Sequence, residues 1–581
     1  MFTRLQLLLI LLVFTTGCTQ KTGNVPEGEP DTPYATDTET WKETGPGLNA
    51  LLASTNKSFQ RNTPPAVSSD SVLLKAWKGE TVHAQLVVWS KDLNTPLKVE
   101  CKAPGKNATI NPEIRIVRYV LSDSFLNGCG WRDKDTIPAT ISPDRLENTQ
   151  QFQINEMETR PVWLSFSIPQ DCTPGIYNFI PTITGESDTV ELQLSIEVLD
   201  KTLPPPGEWH FHLDLWQNPY AVARYYDVQL WSQEHWDLLE PLLKKLASAG
   251  QKCISTTLND KPWGGQTFDP FGSMITWIKD DQGKWSYDYS VFDQYVNFAM
   301  DCGITEQINC YTMVPWGNQF RYYSEDSTAW VDIKAVPGSP EYIELWKPFL
   351  IDFREHLRDM GWIDIATIAM DERKEEDMRK IISMVREFAP ELKITLAGNI
   401  LQPDIDKDLY DLSIALGLDP GRDLVRQRVE SGKPTTFYTC CSKPEHPNNF
   451  TFSPPADNTY IGWYAAAWGY SGFLRWAYNS WVENPAYDSR FRTWPSGDTY
   501  LVYPDNESSV RFEKLIEGIR DFEKIRILKE ELSMDPSMKA AGLEKELEGF
   551  LNSLHYSRLK ERPSAEFVTE GQNLLYRIAT R

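Results

Sequence analysis

The feature that most constrains the fold is a regular alternation of strand-like and helix-like segments over residues 208–484. Short β-branched or apolar runs alternate with longer stretches of helical periodicity, in eight successive units. Parallel strands require crossover connections, so this order predicts a (β/α)8 TIM-like barrel. The predicted strands are 209–216, 252–258, 307–313, 363–370, 393–397, 412–416, 435–439 and 472–478. The predicted helices are 232–249, 291–302, 340–360, 375–388, 404–411, 423–431 and 461–468, and the long segment 259–290 is an expected insertion above the barrel.

Different patterns flank the predicted barrel. Residues 46–203 contain short alternating runs with turn signals and hardly any helical periodicity, which indicates an all-β sandwich closed by the Pro-rich linker 204–207. Residues 485–581 begin with a predicted strand or hairpin at 497–503, and three amphipathic helices follow near 509–532, 539–554 and 564–578. The expected fold class is therefore multidomain, with an N-terminal β-sandwich, a central barrel and a C-terminal mixed β/helical region.

The N-terminus has the pattern of an export signal. Arg4 precedes a ten-residue run, 5–14, that is apolar except for Gln6 and too short to span a bilayer, and small residues lead to Cys18. This resembles a bacterial lipoprotein, so we predict a signal peptide over residues 1–18, lipidation of Cys18 and a flexible tether over 19–45. Ordinary secretion with a chance cysteine is the alternative. The expected location is extracytoplasmic, anchored by lipid to a bacterial membrane at the periplasm or cell surface.

Charge and composition restrict the partners. The net charge of −23 disfavours nucleic acid and anionic membrane surfaces as electrostatic partners, and it suits a neutral substrate. The 21 Trp residues offer flat faces that suit sugar rings as well as cores. The cysteines beyond Cys18 form no CxxC pair, so we expect mostly buried thiols. A disulfide among Cys101, Cys129 and Cys172 is left open.

The adjacent carboxylates of Asp371 and Glu372 are the strongest candidates for chemistry. They directly follow the predicted fourth strand, 363–370, and barrel enzymes place catalytic groups at the carboxyl ends of strands. The alternative is that one of them caps the following helix. That helix is expected to begin a few residues later, however, and capping requires one acid rather than two. The sequence therefore favours a catalytic role.

Adjacency also constrains the mechanism. Paired carboxylates of retaining glycosidases lie about 5 Å apart on opposite sides of the scissile bond, and inverting pairs are farther apart. Neighbouring Cα atoms are only about 3.8 Å apart, so two adjacent side chains do not easily reach both faces of one sugar. They suit a reaction in which a 2-acetamido group of the substrate is the nucleophile and forms an oxazoline. We expect Asp371 to be ionised and Glu372 protonated at neutral pH, because like charges separate their pKa values.

The pair and three C-terminal segments resemble glycoside hydrolase family 123. The segments are 472–481, 497–504 and 509–521, and the similarity covers most of the chain beyond the tether. The resemblance implies an exo-acting, retaining β-N-acetylgalactosaminidase, with glycosphingolipid oligosaccharides among its substrates and no cofactor. Carried onto this sequence, Asp371 would orient and stabilise the acetamide and oxazolinium. Glu372 would be the general acid and then the general base.

Positions at strand ends predict the remaining pocket residues. Aromatic side chains at the ends of barrel strands can form the base of a sugar subsite or enclose an acetamide methyl group, although aromatic residues also fill barrel cores. The candidates for substrate binding are Trp316, Tyr438, Trp476, Tyr478, Asn479, Trp481 and His212.

Two alternatives stay open at this point, and a third, a metal site, is disfavoured. A β-N-acetylglucosaminidase of the same mechanism would differ only in recognition of the 4-hydroxyl group. A non-catalytic, surface glycan-binding lipoprotein would need an aromatic platform but not Asp371 and Glu372. His210 and His212 face one side of a predicted strand, as in metal-dependent hydrolases. The other histidines, of seven in total, fall on predicted helices, in a loop or outside the barrel, so we predict no metal. The sequence does not predict the oligomeric state.

Overall fold

The structure is a computed structural model that describes residues 28–66, 71–103, 110–124, 128–442 and 445–581. The predicted signal peptide and Cys18 lie outside the described residues. Within the described ranges, no helix has both the length and the apolar character needed to cross a membrane.

The N-terminal region is the predicted sandwich of two sheets. Its strands are β1 (Asn49–Ala53), β2 (Ser71–Lys78), β3 (Thr81–Ser90), β4 (Thr95–Lys102), β5 (Pro112–Asp123), β6 (Ala139–Glu147), β7 (Gln151–Ile154), β8 (Glu158–Ser167), β9 (Gly175–Thr184), β10 (Thr189–Glu191) and β11 (Gln193–Thr202). One sheet has the order β1-β3-β8-β5-β6, and the other has the order β2-β11-β9-β4-β7, with β10 beside β9. Alternate residues of both sheets, such as Leu86, Leu164 and Ile196, meet in one buried core.

The described part of the predicted tether, residues 28–45, is folded onto the sandwich. The Glu29 carboxylate pairs with the Arg160 guanidinium at 2.5 Å. Trp41 is buried in a short 3₁₀ helix, Thr38–Trp41, and its indole N–H donates to the carbonyl of Asn62. The prediction of a flexible tether as far as residue 45 is therefore wrong. Polar composition suggested flexibility, but one charged pair and one aromatic anchor hold this segment in place.

The central region is the predicted barrel. In chain order it contains β12 (His212–Leu215), α1 (Pro219–Tyr226), α2 (Gln233–Ser248), β13 (Cys253–Thr257), β14 (Thr276–Lys279), β15 (Trp285–Asp288), α3 (Ser290–Asp301), β16 (Gln307–Tyr311), β17 (Gln319–Ser324), β18 (Ala329–Lys334), α4 (Pro340–Asp359), β19 (Ala366–Asp371), α5 (Glu375–Phe388), β20 (Lys393–Gly398), α6 (Pro403–Asp406), β21 (Asp411–Ala415), α7 (Arg422–Glu430), β22 (Thr435–Tyr438), α8 (Pro455–Trp468) and β23 (Gly472–Arg475). The eight barrel strands pair in the order β12-β23-β22-β21-β20-β19-β16-β13. This is the sequence order of a TIM-like barrel, so the predicted fold class is confirmed.

The barrel has one weak seam, between β12 and β13. Their backbones meet at an isolated bridge between Leu213 and Gln251, and the Lys252 N–H donates to the Leu213 carbonyl at 2.9 Å. The side-chain amide of Gln251 replaces further ladder bonds, because it accepts from the Leu215 N–H at 3.0 Å and donates to the Leu215 carbonyl at 3.2 Å. A side chain therefore closes the barrel where backbone pairing is sparse.

A small sheet of order β15-β14-β17-β18 lies at the carboxyl end of the barrel. Strands β14 and β15 lie in the insertion predicted at 259–290. The hairpin of β17 and β18 was not predicted, and neither was helix α1. These elements belong to the connections after β12, β13 and β16, so they surround the end of the barrel at which catalytic groups are expected.

The C-terminal region joins the barrel to the sandwich. It contains β24 (Ser508–Ser509), α9 (Val510–Met534), α10 (Met538–Ser553) and α11 (Ser564–Ala579). Strand β24 extends the first sandwich sheet beside β6. Helix α9 crosses α8 in backbone contact: a Cβ at Gly462 would lie 1.9 Å from the carbonyl oxygen of Gly518, so a side chain at Gly462 would prevent the crossing.

The predicted strand at 497–503 is not formed. The segment is buried and makes one isolated bridge, between Tyr500 and Asn479, but side chains instead of a neighbouring strand bind several of its carbonyl groups. The Arg511 guanidinium donates to the carbonyls of Gly497 at 2.9 Å and Tyr500 at 2.8 Å. Alternating apolar residues therefore indicated burial here, not strand pairing.

Candidate active site

Asp371 and Glu372 lie at the carboxyl-terminal mouth of the barrel. Asp371 is the last residue of β19, opposite Ala397 of β20, and the Glu372 N–H donates to the Ala397 carbonyl at 2.7 Å. Successive residues of a strand normally point to opposite faces. Glu372 leaves the strand geometry with a φ of 51°, in the left-handed region that non-glycine residues rarely adopt. Both side chains consequently line one cavity.

A capping role for the pair is excluded by the start of the next helix. Helix α5 begins at Glu375, and its N-cap residue is Lys374, with no side-chain cap. The acids of its first turn, Glu375, Glu376 and Asp377, suit the positive end of the helix dipole. Asp371 and Glu372 therefore have no part in capping the helix.

The surroundings of Asp371 change its protonation. Burial raises its pKa to about 7, the neighbouring Glu372 carboxylate raises it as well, and the Arg373 guanidinium opposes both effects. The indole N–H of Trp316 approaches Asp371 Oδ2 at 3.4 Å. Burial and the Glu372 carboxylate thus favour the protonated form of Asp371 more than the sequence indicates, because the sequence does not show how strongly this carboxyl group is desolvated.

Tyr438 holds the second carboxyl group. It is the last residue of β22, and its hydroxyl donates to Glu372 Oε1 at 2.7 Å. Burial and the Glu372 carboxylate raise the pKa of Tyr438 far above the ordinary range, so the phenol keeps its proton and remains a donor. Tyr438 thus fixes one oxygen of Glu372.

The cavity around the pair is small and aromatic. Its volume is about 180 Å³, below the roughly 300–1,000 Å³ of pockets for drug-sized ligands, which suits one monosaccharide unit. Trp216 stacks on Trp263 with ring centroids 4.9 Å apart. The aromatic lining consists of Trp216, Trp263, Trp316, Tyr438, Trp476 and Trp494. Such faces bind the apolar side of a sugar ring or an acetamide methyl group.

The structure brings together three of the predicted substrate-binding residues and separates four. Trp316, Tyr438 and Trp476 line the cavity. Tyr478 and Trp481 are buried elsewhere: the Tyr478 hydroxyl donates to the Leu242 carbonyl at 3.0 Å, and the Trp481 indole donates to the Val502 carbonyl at 2.8 Å. Predicting these two as substrate contacts is therefore incorrect.

The prediction that Asn479 and His212 bind substrate is also wrong, because both side chains lie away from the cavity. The Asn479 side chain binds the backbone of Asn218, accepting from its N–H at 2.8 Å and donating to its carbonyl at 3.1 Å. Strand β23 ends at Arg475, earlier than predicted, so the following residues leave the cavity. His212 begins β12 and lies at the opposite end of the barrel. Its exposed neighbour His210 precedes the strand and does not share its inward face.

Several cavity residues were missed, for identifiable reasons. Trp216 and Asn399 follow the ends of β12 and β20, so strand-end position could have found them. Trp263 lies in the insertion and Trp494 beyond the barrel, where no local pattern points to a site. A contribution from the sandwich, at Cys129, had no sequence signal at all.

A disulfide connects the sandwich to the cavity rim. Cys129 is bonded to Cys441, which follows β22, across a sequence separation of 312. Both residues line the cavity. Cys101 and Cys172 are free thiols, so the disulfide considered among Cys101, Cys129 and Cys172 is not formed. The bond ties a loop of the N-terminal region to the catalytic end of the barrel.

Two family models match this chain. The one described as "Glycoside hydrolase 123, catalytic domain" matches residues 216–528, and "Glycoside hydrolase 123 N-terminal domain" matches residues 52–185. No curated protein sequence matches significantly.

A solved structure of family 123 is strongly similar to this chain. A family 123 glycoside hydrolase from Clostridium perfringens, studied for glycolipid glycan hydrolysis, has a TM-score of 0.82 and 26% identity, covering 92% of this chain and 98% of that chain. A GH10 xylanase with a bacterial Ig-like domain, from termite gut, has a TM-score of 0.32 and 11% identity over 78% of this chain and 100% of that chain. That second similarity is too low to support an argument.

Proposed function

The chain belongs to glycoside hydrolase family 123, and from this premise we propose that it is an exo-acting enzyme that releases terminal β-linked N-acetylgalactosamine by substrate-assisted catalysis. The observation that carries the proposal is the adjacency of Asp371 and Glu372 in one small cavity. Glycoside hydrolysis itself follows from the family. The sugar and the mechanism are our proposal.

In the first step the acetamide of the bound sugar is the nucleophile. Asp371 accepts a hydrogen bond from the acetamide N–H, which directs the carbonyl oxygen toward the anomeric carbon. A carbon–oxygen bond forms there while the glycosidic bond breaks. Glu372 gives its proton to the departing oxygen, so the aglycone leaves as a neutral alcohol. The oxazolinium that remains is stabilised by the negative charge of Asp371.

In the second step water opens the oxazolinium. Glu372, now a carboxylate, takes a proton from water as the oxygen attacks the anomeric carbon. The acetamide is restored, and two inversions at one carbon give net retention. Tyr438 anchors Oε1 of Glu372, so the other carboxyl oxygen is the one that exchanges the proton.

The raised pKa of Asp371 fits this cycle. In the free enzyme a pKa of about 7 lets Asp371 bind a proton, and the reaction starts from the form in which Asp371 is ionised and Glu372 carries the proton. Positive charge on the oxazolinium favours the ionised form, so the interaction strengthens as the reaction proceeds. Interactions that are stronger in the transition state than in the ground state accelerate the chemical step.

The cavity size supports exo action, because a volume of about 180 Å³ suits one terminal sugar. We propose glycosphingolipid oligosaccharides among the substrates. The support is the Clostridium perfringens relative, whose description concerns glycolipid glycans. The Cys18 motif supports a lipid-anchored enzyme outside the cytoplasm, which is also a proposal.

The proposal is tested with 4-nitrophenyl β-GalNAc, β-GlcNAc and β-galactoside. We expect hydrolysis of the GalNAc substrate, and loss of activity in Asp371→Asn and, for poor leaving groups, in Glu372→Gln. Preference for the GlcNAc substrate would overturn the sugar assignment, and equal hydrolysis of the galactoside would overturn the mechanism. Glycan binding without hydrolysis of any substrate would overturn catalysis altogether.

A further inference from the structure

A second cluster of reactive side chains lies at the amino-terminal end of the barrel. His212, Cys253 and Asp411 are the first residues of β12, β13 and β21. All three are buried, and one ligand atom of each lies within 4.8 Å of those of the other two. Asp371 ends its strand, so this cluster is at the opposite end of the barrel from the catalytic pair. We propose that these three residues bind a divalent cation of the zinc type as a structural site.

The distances suit such an ion. His212 Nε2 is 3.4 Å from Asp411 Oδ2 and 3.4 Å from Cys253 Sγ. Tetrahedral zinc with bonds of about 2.0–2.3 Å to nitrogen, oxygen and sulfur places its ligand atoms about 3.3–3.8 Å apart. Imidazole, thiolate and carboxylate are the ligand types that zinc prefers. The site therefore needs little rearrangement to hold the ion.

Hydrogen bonds from neighbouring side chains hold Asp411, one of the proposed ligands, in place. The amide of Gln307, the first residue of β16, donates to Asp411 Oδ2 at 2.8 Å and to Asn309 Oδ1 at 2.8 Å. Asn309 in turn donates to Asp214 Oδ2 at 3.0 Å. Hydrogen bonds of this kind orient metal-binding carboxylates.

Polar atoms without partners lie one layer above the cluster. Asp214, Ser255 and Ser413 each follow a proposed ligand by two residues, so they face the same interior of the barrel. Asp214 Oδ1, Ser255 Oγ and Ser413 Oγ are buried and have no hydrogen-bond partner among the described residues. Buried polar atoms are normally satisfied. A cation bound by the cluster, together with its water ligand, would place a positive charge and a hydrogen-bonding water near these atoms.

The position of the cluster gives the ion a function. His212 and Cys253 lie on β12 and β13, the two strands of the weak seam, and Asp411 lies across the barrel on β21. One ion bound to all three connects the seam to the opposite wall. The His212 side chain is 10% exposed, which gives the ion access from the base of the barrel. The site stabilises the barrel and does not touch the substrate.

The number and placement of the histidines alone give no indication of this cluster. His210 is exposed and does not join the cluster. The cluster uses one histidine with a cysteine and an aspartate from distant strands, a combination that no short motif displays. Only the closed barrel brings the three residues together.

The test measures metal content and not hydrolysis, so its failure is distinct from failure of the proposed function. Full-length mature protein is incubated with zinc, dialysed and analysed by mass spectrometry for metals. We expect about one zinc per chain, as for a single structural site. Cys253→Ser and Asp411→Asn should lose most of it, while Cys310→Ser, a buried cysteine of β16 outside the cluster, should retain it.

Cobalt substitution of the unaltered protein provides a second measurement that does not depend on how variants fold. Co²⁺ should give thiolate-to-cobalt absorption in the near ultraviolet, and a chelator should lower Tm by several degrees, reversibly on adding zinc. Absence of bound zinc together with an unchanged Tm would overturn the proposal. Equal zinc content in the Cys253→Ser and Cys310→Ser variants would also overturn it.

Discussion

The hydroxyl of Tyr438 donates to Glu372 Oε1 at 2.7 Å, linking the end of β22 to the turn after β19. Removing this bond in Tyr438→Phe should lower kcat/KM about 10- to 150-fold on substrates with poor leaving groups. Glu372 becomes a carboxylate as it gives up its proton, and a hydrogen bond to a charged group contributes roughly 1.5–3 kcal/mol. Steady-state kinetics measure the effect. Tyr478→Phe is the matched control: it removes a hydroxyl that binds the Leu242 carbonyl, away from the cavity, and should leave kcat unchanged. Equal losses in both variants would show that the Tyr438 bond is only structural.

Activity should depend on the ionisation of Asp371. Its carboxyl group is protonated below its pKa of about 7, and a neutral carboxyl group stabilises the oxazolinium poorly. We therefore expect kcat/KM to fall as pH decreases through about 7, since kcat/KM reports the free enzyme. A profile that stays flat down to about pH 5 would contradict this account.

The raised pKa of Asp371 also predicts how the stability of the fold changes with pH. Because the folded pKa of Asp371 lies above the unfolded value of 3.8, the carboxyl group stabilises the fold at low pH, and this contribution is lost as pH rises through about 7. Asp371→Asn should therefore raise Tm by about 2–4 °C at about pH 8.5, and by less at about pH 5. The effect is moderate because Asp371 is only partly buried by surface area. Calorimetry measures the Tm of both proteins at the two pH values. A larger Tm increase at the lower pH would contradict the prediction.

The Cys129–Cys441 disulfide should affect both stability and substrate binding. It closes a loop of 312 residues, so Cys129→Ser should reduce stability by about 2–5 kcal/mol. Loosening of the cavity rim should raise KM more than it lowers kcat. Cys101→Ser, which alters a free thiol of the sandwich, is the control for the effect of a cysteine substitution. Unchanged KM and denaturation midpoint in Cys129→Ser would refute both effects.

Sequence patterns predict the barrel well because each of its strands is a short apolar or β-branched run that can be recognised without knowing its neighbours. All eight predicted strands overlap observed ones, and α5 begins at Glu375 and ends at Phe388 as expected. Asp371 and Glu372 could be found because position at the end of a strand is a local property. The predicted C-terminal helices are also observed, with ends shifted by at most two residues.

Features that depend on distant contacts could not be predicted. Burial of the Asp371 carboxyl group, and hence its pKa, depends on the surrounding walls, including Trp316 from another loop. The rim residues Cys129 and Trp494 come from outside the barrel. The 497–503 segment has a strand-like pattern, yet the Arg511 guanidinium binds two of its carbonyls, those of Gly497 and Tyr500. For the Asp371 carboxyl group and the cavity rim the deciding partners lie far away in the chain, whereas Arg511 follows closely after the segment whose carbonyls it binds.

We propose above all that the substrate supplies the nucleophile beside Asp371 and Glu372. The most direct measurement is kcat/KM for aryl β-GalNAc substrates whose N-acetyl group carries zero, one, two or three fluorine atoms. Fluorine withdraws electrons from the carbonyl oxygen, so we predict a steep decrease in log(kcat/KM) with each fluorine, at unchanged leaving group. Rates that are independent of fluorination would contradict the account, because they would show that the acetamide oxygen does not attack the anomeric carbon.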